Sequence, residues 1–291
     1  MFTLHNGDCL QILPSIPSGS IDAIITDLPY GTTACEWDSI IPLAPMWEQV
    51  KRVLKPNGVF VTTASQPFTT ILINSNLEYF RYEWIWEKHK GTNSLLVKKM
   101  PLKIHESILV FGNSGSNYFP QMEDGVPYKI RSSKNIKKSG AYHEGEKAVG
   151  YSENYDPSKR YPVSIQKFIN HNEGKTRYHP TQKPVDLYRY LIRTYTNEGE
   201  TVLDICMGSG TTIEAAEIEG RNSIGIEKDT EFGYFQTAEK RAKSAVLQQR
   251  LFTPSNNRLH LDVGDSPAQQ ALFTSEADTA EGKLPAKSPR R

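Results

Sequence analysis

Val202-Leu203-Asp204-Ile205-Cys206-Met207-Gly208-Ser209-Gly210-Thr211-Thr212 runs from a short apolar segment, through two glycines, into residues with helical spacing. Strand, tight turn and helix in that order open a β-α-β unit, whose helix N-terminus presents unpaired N–H groups and whose glycines let the backbone approach a ligand. A Gly-x-Gly pair alone is an ordinary tight turn. Here the next apolar run, Asn222 to Glu227, ends in an acid 23 residues after Asp204, the place where a carboxylate commonly receives ribose hydroxyls. Ile213 stands where the dinucleotide fingerprint has its third glycine, so the turn is less prepared for a pyrophosphate. The reading is a pocket for a nucleoside-containing cofactor.

The remaining runs repeat the same alternation. Ile21 to Asp27 reads as a buried strand, and Pro45 to Leu54 carries helical spacing in Met46, Val50, Val53 and Leu54, stopped by Lys55-Pro56-Asn57-Gly58. Val59 to Ala64, Tyr82 to Glu87 and Ser107 to Phe111 read as strands and Gln66 to Asn74 as a helix. Pro184 is placed as a first helical residue ahead of Val185, Leu187, Leu191 and Ile192. Strand Thr201 to Ile205, helix Thr211 to Glu219, strand Asn222 to Glu227 and a helix from Thr230 towards Leu247 follow. The pattern predicts an α/β protein with a parallel sheet.

Between Gly112 and Tyr178 the periodicity lapses into Gly, Ser, Asn, Lys and Tyr over a length unusual for a connection; we read it as an inserted recognition region. The expected organisation is a first half over 1–111, the insertion over 112–178, a cofactor half over 179–250 and a disordered tail over 251–291. The 291 residues suffice for a core without disulfide or metal staples. Three cysteines, Cys9, Cys35 and Cys206, form no Cys-x-x-Cys pair, which suggests neither a disulfide framework nor a zinc site. No apolar run approaches the roughly 20 residues that span a bilayer, so a cytoplasmic setting without membrane insertion is expected. Net charge is +1, unevenly spread: Val126 to Pro180 holds 11 Lys or Arg against 5 Asp or Glu, and Lys88, Lys90, Lys98, Lys99 and Lys103 precede the first acid, Glu106. Such a stretch is either a solvated basic loop or a phosphate-contacting surface.

Closing the strand at Ile21, Asp27-Leu28-Pro29-Tyr30 sets an acid, a rigid turn and an aromatic ring at one strand end. With Asp204 to Thr212 and His179-Pro180-Thr181-Gln182-Lys183-Pro184, it resembles in kind and order the motifs of the β class of S-adenosylmethionine-dependent DNA amino-methyltransferases. The likeness covers residues 3 to 245. It implies a Rossmann-like methyltransferase fold, with a mainly parallel twisted sheet, helices on both faces and circularly permuted motifs. It implies S-adenosyl-L-methionine as cofactor, with Lys183 at the methionine carboxylate and Asp204 near the ammonium. Gly208 and Gly210 would allow close approach, Thr211 and Thr212 would hydrogen-bond, Glu227 would hold the ribose and Asp8 would lie near the adenine. Ser209 belongs to the same turn, and Cys206 stands where the family has Phe. Leu28 replaces a common Pro, and Ile205 another.

The chemistry implied is methylation of an exocyclic amine, whose lone pair is delocalised into the base. Asp27 would take one amino hydrogen and the Leu28 carbonyl the other, aiming the lone pair at the methyl group. Pro29 forces Leu28 into an extended conformation, and Tyr30 would stack on the base. In duplex DNA the base must first leave the stack. Lys98, Lys99, Lys103, Arg131, Lys134, Lys137, Lys138 and Arg160 are the candidate DNA contacts, with Tyr142 and Asn154 as candidates for base edges. His105-Glu106 resembles a family pair and reads equally as a turn. Asp at position 27 favours adenine N6 over cytosine N4, where Ser is more usual. Cytosine C5 is disfavoured because no Pro-Cys dipeptide supplies a nucleophile. Rival readings are another planar amine or amide substrate, or a DNA-binding protein without transfer. A homodimer and a cognate restriction endonuclease are suggested by the family only.

Overall fold

The computed structural model describes residues 1–31, 38–126, 156, 158–169, 178, 182–229 and 231–252. Its centre is an eight-stranded sheet in the order β1-β10-β9-β2-β3-β5-β4-β8. These strands are β1 (Phe2–Asn6), β2 (Ile21–Thr26), β3 (Leu54–Ala64), β4 (Phe80–Thr92), β5 (Lys103–Gly112), β8 (Ile165–Lys167), β9 (Thr201–Asp204) and β10 (Asn222–Glu227). A separate ribbon pairs β6 (Glu123–Asp124) with β7 (Lys159–Arg160). The helices are α1 (Cys9–Ile12), α2 (Leu43–Val53), α3 (Phe68–Ser75), α4 (Val185–Tyr195), α5 (Thr211–Ile218) and α6 (Tyr234–Phe252).

Neighbouring strands from β1 to β3 pair in parallel, and β5 is antiparallel to both β3 and β4. The sheet is thus mainly parallel, as expected, with one reversed strand. Alternation along β2 explains why both faces are covered. Ile24 joins α2 and α3 side chains such as Trp47, Val50, Phe68 and Leu72 in one core. Ala23 and Ile25 face Leu187, Leu191, Tyr195 and the α5 alanines in the other. Every residue of β2 is buried, the pattern of a strand inside a parallel sheet. A third, smaller core seats Ala238 and Ala242 of α6 on Met207 and Ile213.

Three local expectations change. Lys55-Pro56-Asn57-Gly58 lies inside β3, because the β2–β3 register shifts between Ile21↔Leu54 and Ala23↔Val59, so the turn residues are accommodated as a bulge within the strand. Tyr82 to Glu87 and Ser107 to Phe111 are the paired centres of longer arms, β4 and β5, whose pairing continues to Thr92↔Lys103. Pro184 is the N-cap of α4, in extended conformation at φ −64° and ψ 132°, one position before the first helical residue. The sheet also reaches into the 112–178 stretch, since β8 pairs in parallel with β4.

Parallel pairing brings the C-terminal ends of β1, β10, β9 and β2 to one edge. From adjacent β9 and β2 the chain leaves to opposite faces, through α5 and α2 respectively. A crevice opens at such a switch point in open α/β sheets. Asp27, Asp204, Glu227 and Asp8 all follow or close these four strands.

Candidate active site

A cleft of 1540 Å³ opens at that edge, lined among others by Asp8, Asp27, Tyr30, Lys183, Gly208 and Glu227. It exceeds the roughly 300–1,000 Å³ usual for one small ligand, so cofactor and base would fit side by side. Asp27, one residue past β2, is held by three donors. Its Oδ1 accepts the Tyr30 hydroxyl at 2.9 Å and the Thr63 hydroxyl, and its Oδ2 accepts Lys183 Nζ at 2.6 Å. The turn after it is fixed by Asp38 Oδ1, which accepts the N–H groups of Tyr30 at 2.7 Å and Gly31 at 2.9 Å. Leu28 is buried in the core and Pro29 lines the cleft. The Tyr30 ring stacks on Phe68, with centroids 5.3 Å apart, and Lys183 Nζ lies 5.6 Å from its centroid. Phe68 therefore covers one face of the ring, and Lys183 also lies over it.

Lys183, expected among the cofactor contacts, stands between two acids: Asp27 and, at 3.5 Å, Glu106. Burial alone would pull its ammonium down, but the carboxylates of Asp27 and Glu106 outweigh it and the group is raised, so Lys183 carries its proton throughout the neutral range. Glu106 also pairs with Lys88. Burial raises its carboxyl, and the ammonium groups of Lys183, Lys88 and Lys103 more than reverse this, leaving it lowered. Lys103, expected to meet DNA, is half-buried in the cleft wall, where its ammonium donates to Ser65. Burial pulls that ammonium down, with Glu106 opposing.

Gly208 and Gly210 adopt φ +51° and +82°. A Cβ at Gly208 would meet nothing within 4 Å, whereas one at Gly210 would lie 2.7 Å from the Ala238 Cβ. The first glycine leaves open space at the cleft and the second is required by packing against α6. The Gly208 N–H donates to Glu227 Oε2 at 2.7 Å. Burial pushes the Glu227 carboxyl up to about 7, partly offset by that bond. Asp204 is 2 % exposed, and three internal donors take it: Thr26 at 2.7 Å, the Cys206 N–H at 3.0 Å and the Thr212 hydroxyl. Burial pushes its carboxyl up to about 6 despite those bonds. Asp204 and Thr212 thus tie the turn to β2. Arg241 of α6 donates to the Ser209 carbonyl at 2.6 Å, the Ser209 hydroxyl at 3.1 Å and the Thr211 hydroxyl at 3.3 Å.

Asp8 caps α1 by accepting the Leu10 N–H at 2.9 Å, and pairs with Lys228 at 3.3 Å. The Cys206 thiol shares a hydrogen bond with Cys9, which raises Cys206, helped by burial, and lowers Cys9. Together the cleft offers carboxylates for hydroxyls or an ammonium and backbone opened by Gly208, with Lys183 engaged by Asp27 and Glu106. That donor set suits S-adenosylmethionine.

Lys98 and Lys99 lie on the exposed β4–β5 tip. Arg160 is committed to the ribbon, donating to the carbonyls of Val126 and, at 2.8 Å, Lys159. Arg131, Lys134, Lys137, Lys138, Tyr142, Asn154, Cys35 and His179-Pro180-Thr181 lie outside the described residues, as does the tail from Thr253. Thr63, Asp38, Phe68 and Arg241 went unmarked in the sequence. Thr63 reaches Asp27 through strand pairing, being one residue past the Thr26↔Thr62 pair; Arg241 gives no signal within its polar helix.

A mainly parallel sheet with covered faces, a glycine turn after β9 and an acidic strand end after β2 define a methyltransferase of Rossmann-like fold. The chain belongs to the DNA methylase family acting on amino nitrogens N6 or N4, whose model matches residues 21–240. It is 29% identical over 243 residues to type II methyltransferase M1.MboII of Moraxella bovis, covering 79% of this chain and 92% of that protein. It is 25% identical over 243 residues to DNA adenine methyltransferase YhdJ of Escherichia coli (strain K12), covering 79% of each. The crystal structure of the M1.HpyAVI-SAM complex superposes with a TM-score of 0.56 at 24% identity, over 83% of this chain and 100% of that one. Among the described residues no helix is long and apolar enough to cross a membrane.

Proposed function

We propose that the protein methylates the N6 amino group of adenine in duplex DNA, at a defined sequence, by direct transfer to a flipped base. The observation that carries this reading is the shared cleft, in which Asp27 at the end of β2 faces the glycine turn and Glu227 at the ends of β9 and β10. S-adenosyl-L-methionine supplies an electrophilic sulfonium methyl when bound. Glu227 would hold its ribose, Asp8 would lie by its adenine and Gly208 would admit it to the backbone.

Asp27 accepts a hydrogen bond from one N–H of the target amine and the Leu28 carbonyl one from the other, drawing the nitrogen toward tetrahedral geometry with its lone pair aimed at the methyl group. The proton the amine loses as the N–C bond replaces the S–C bond leaves through the Asp27 carboxylate to solvent. Asp27 meets the amine after Lys183 turns away from Oδ2, leaving Tyr30 and Thr63 to hold Oδ1 in place. The face of Tyr30 away from Phe68 receives the base. Asp27 itself supports adenine over cytosine, and the name of YhdJ agrees with that choice. The type II name of M1.MboII supports a restriction-modification pair as the setting.

The test is to incubate the protein with labelled S-adenosylmethionine and unmethylated duplex DNA, then identify the labelled nucleoside by mass. N6-methyl-2′-deoxyadenosine, absent with Asp27→Ala, is the expected outcome. N4-methyl-2′-deoxycytidine would retain the mechanism and change the base; label on RNA or protein alone would overturn the DNA reading.

A further inference from the structure

The β4–β5 arms end in a tip whose apolar side chains point into solvent. Leu95 is 98 % exposed, and Leu96, Val97, Met100, Leu102 and Ile104 are 40 to 53 % exposed. Contiguous exposed apolar groups of this kind mark contact sites in a soluble protein. The tip is nevertheless built. Asn93 takes the left-handed conformation at φ +68°, Ser94–Leu96 forms a 3-10 turn, and the N–H groups of Lys99 and Met100 both donate to the Leu96 carbonyl, at 2.8 and 3.0 Å. A Cβ on Gly91 would lie 2.9 Å from that of Leu102, so the two arms approach closely.

Two further facts select the partner. From Lys88 to His105 the sequence contains five lysines and no acid. Lys88 is paired with Glu106 and Lys103 is turned to Ser65, which leaves Lys98 and Lys99 on the exposed tip as a cationic surface that suits phosphates. The stems of the same tip, Lys88 to Asn93 and Met100 to Lys103 without Leu102, wall the cleft that contains Asp27. The apolar tip thus stands at the mouth through which a base must enter.

We propose that Leu95, with Leu96 and Val97, is a wedge that enters duplex DNA and fills the gap left by the extruded target base, while Lys98 and Lys99 hold the flanking phosphates. An extruded base leaves two apolar base faces exposed to water, and wedges of Leu, Ile, Phe or Met are the side chains that cover such faces. The inference rests on the function proposed above and deepens it, by assigning base extrusion to a particular element.

The test compares the wild type with Leu95→Ser, Leu96→Ser, Val97→Ser combined, three exposed positions whose change leaves the core alone. Positions modified by the wild type are first mapped by sequencing. Methyl transfer is then measured on a paired duplex and on one mismatched opposite the target, where extrusion costs less. The triple variant is expected to lose roughly tenfold or more in kcat/KM on the paired duplex, to recover most of it on the mismatch, and to keep its cofactor affinity and unfolding temperature. Equal activity on the paired duplex, or an equal loss on both substrates, overturns the wedge while leaving the methyltransferase reading intact. So does a wild-type dimer that the variant splits with no change in transfer, which would make the tip a contact between copies. A wild type that labels no DNA removes both proposals.

Discussion

Asp27 accepts from Tyr30, Thr63 and Lys183 at once, so its carboxylate is oriented before any substrate arrives. Tyr30 and Thr63 keep Oδ1 preorganised, and only the Lys183 contact at Oδ2 is exchanged for the substrate amine. Asp27→Ala is expected to lower kcat by about a hundredfold or more, with cofactor affinity, measured by calorimetry, changed far less. Lys183→Met removes the cation between Asp27 and Glu106 and leaves two facing acids. Truncating one partner of a buried pair costs about 3–5 kcal/mol, so a fall in urea stability of that order should accompany its loss of activity, and Glu106→Gln in the same chain should restore part of the stability.

Glu227 gives a signed pH dependence. Burial holds its carboxyl at about 7 in the folded protein, against an ordinary 4.5. A raised acid contributes stability that is fully present below 4.5 and lost as pH rises through 7. The shift corresponds to about 3 kcal/mol at 1.36 kcal/mol per unit. The unliganded protein should lose stability between pH 5 and 7.5, and Glu227→Gln should flatten that slope. Asp204, at about 6 from 3.8, contributes in the same direction and should leave a residual slope. With Glu227 in its proposed role at the ribose, affinity for S-adenosylmethionine should run the opposite way, tightening from pH 6 to 8 as its carboxylate becomes a better acceptor, and titration calorimetry of wild type and Glu227→Gln across that range checks it.

At the scale of elements, the glycine turn between β9 and α5 was legible because its constraints are local: two positive φ values and a helix start. Its two glycines differ only through tertiary packing. Gly210→Ala drives a methyl to 2.7 Å from Ala238 of α6, while Gly208→Ala meets open space. Both carry left-handed backbone strain of about 1–2 kcal/mol. Gly210→Ala should therefore destabilise the fold by more than Gly208→Ala in chemical denaturation. Arms β4 and β5 were legible only at their paired centres, since the alternation that marks a strand fades where both arms leave the core and become exposed. Lys55-Pro56-Asn57-Gly58 shows the converse: turn residues in sequence, a bulge in structure, because pairing with β2 resumes at Val59.

At the scale of the molecule, parallel ends of four strands converge on one cleft, so a ligand bridging them should stabilise the whole fold and not one segment. S-adenosylmethionine at about a hundred times its dissociation constant should add about 2.7 kcal/mol, visible as a raised unfolding midpoint by differential scanning fluorimetry, and Glu227→Ala should abolish most of the rise.

The α/β class, the two strand-end motifs, their order and a nucleoside-containing cofactor are legible in contiguous residues whose backbone needs are local, and the resemblance to the amino-methyltransferases narrows that cofactor to S-adenosylmethionine. Which groups meet depends on the folded chain. Lys183 joins Asp27 across 156 residues, Thr26 and Thr212 take up Asp204, Arg241 braces the turn from α6, and Lys103 withdraws into the cleft wall. These contacts depend on strand order and helix placement, which follow from burying two sheet faces at once and leave no trace in the spacing of any single segment.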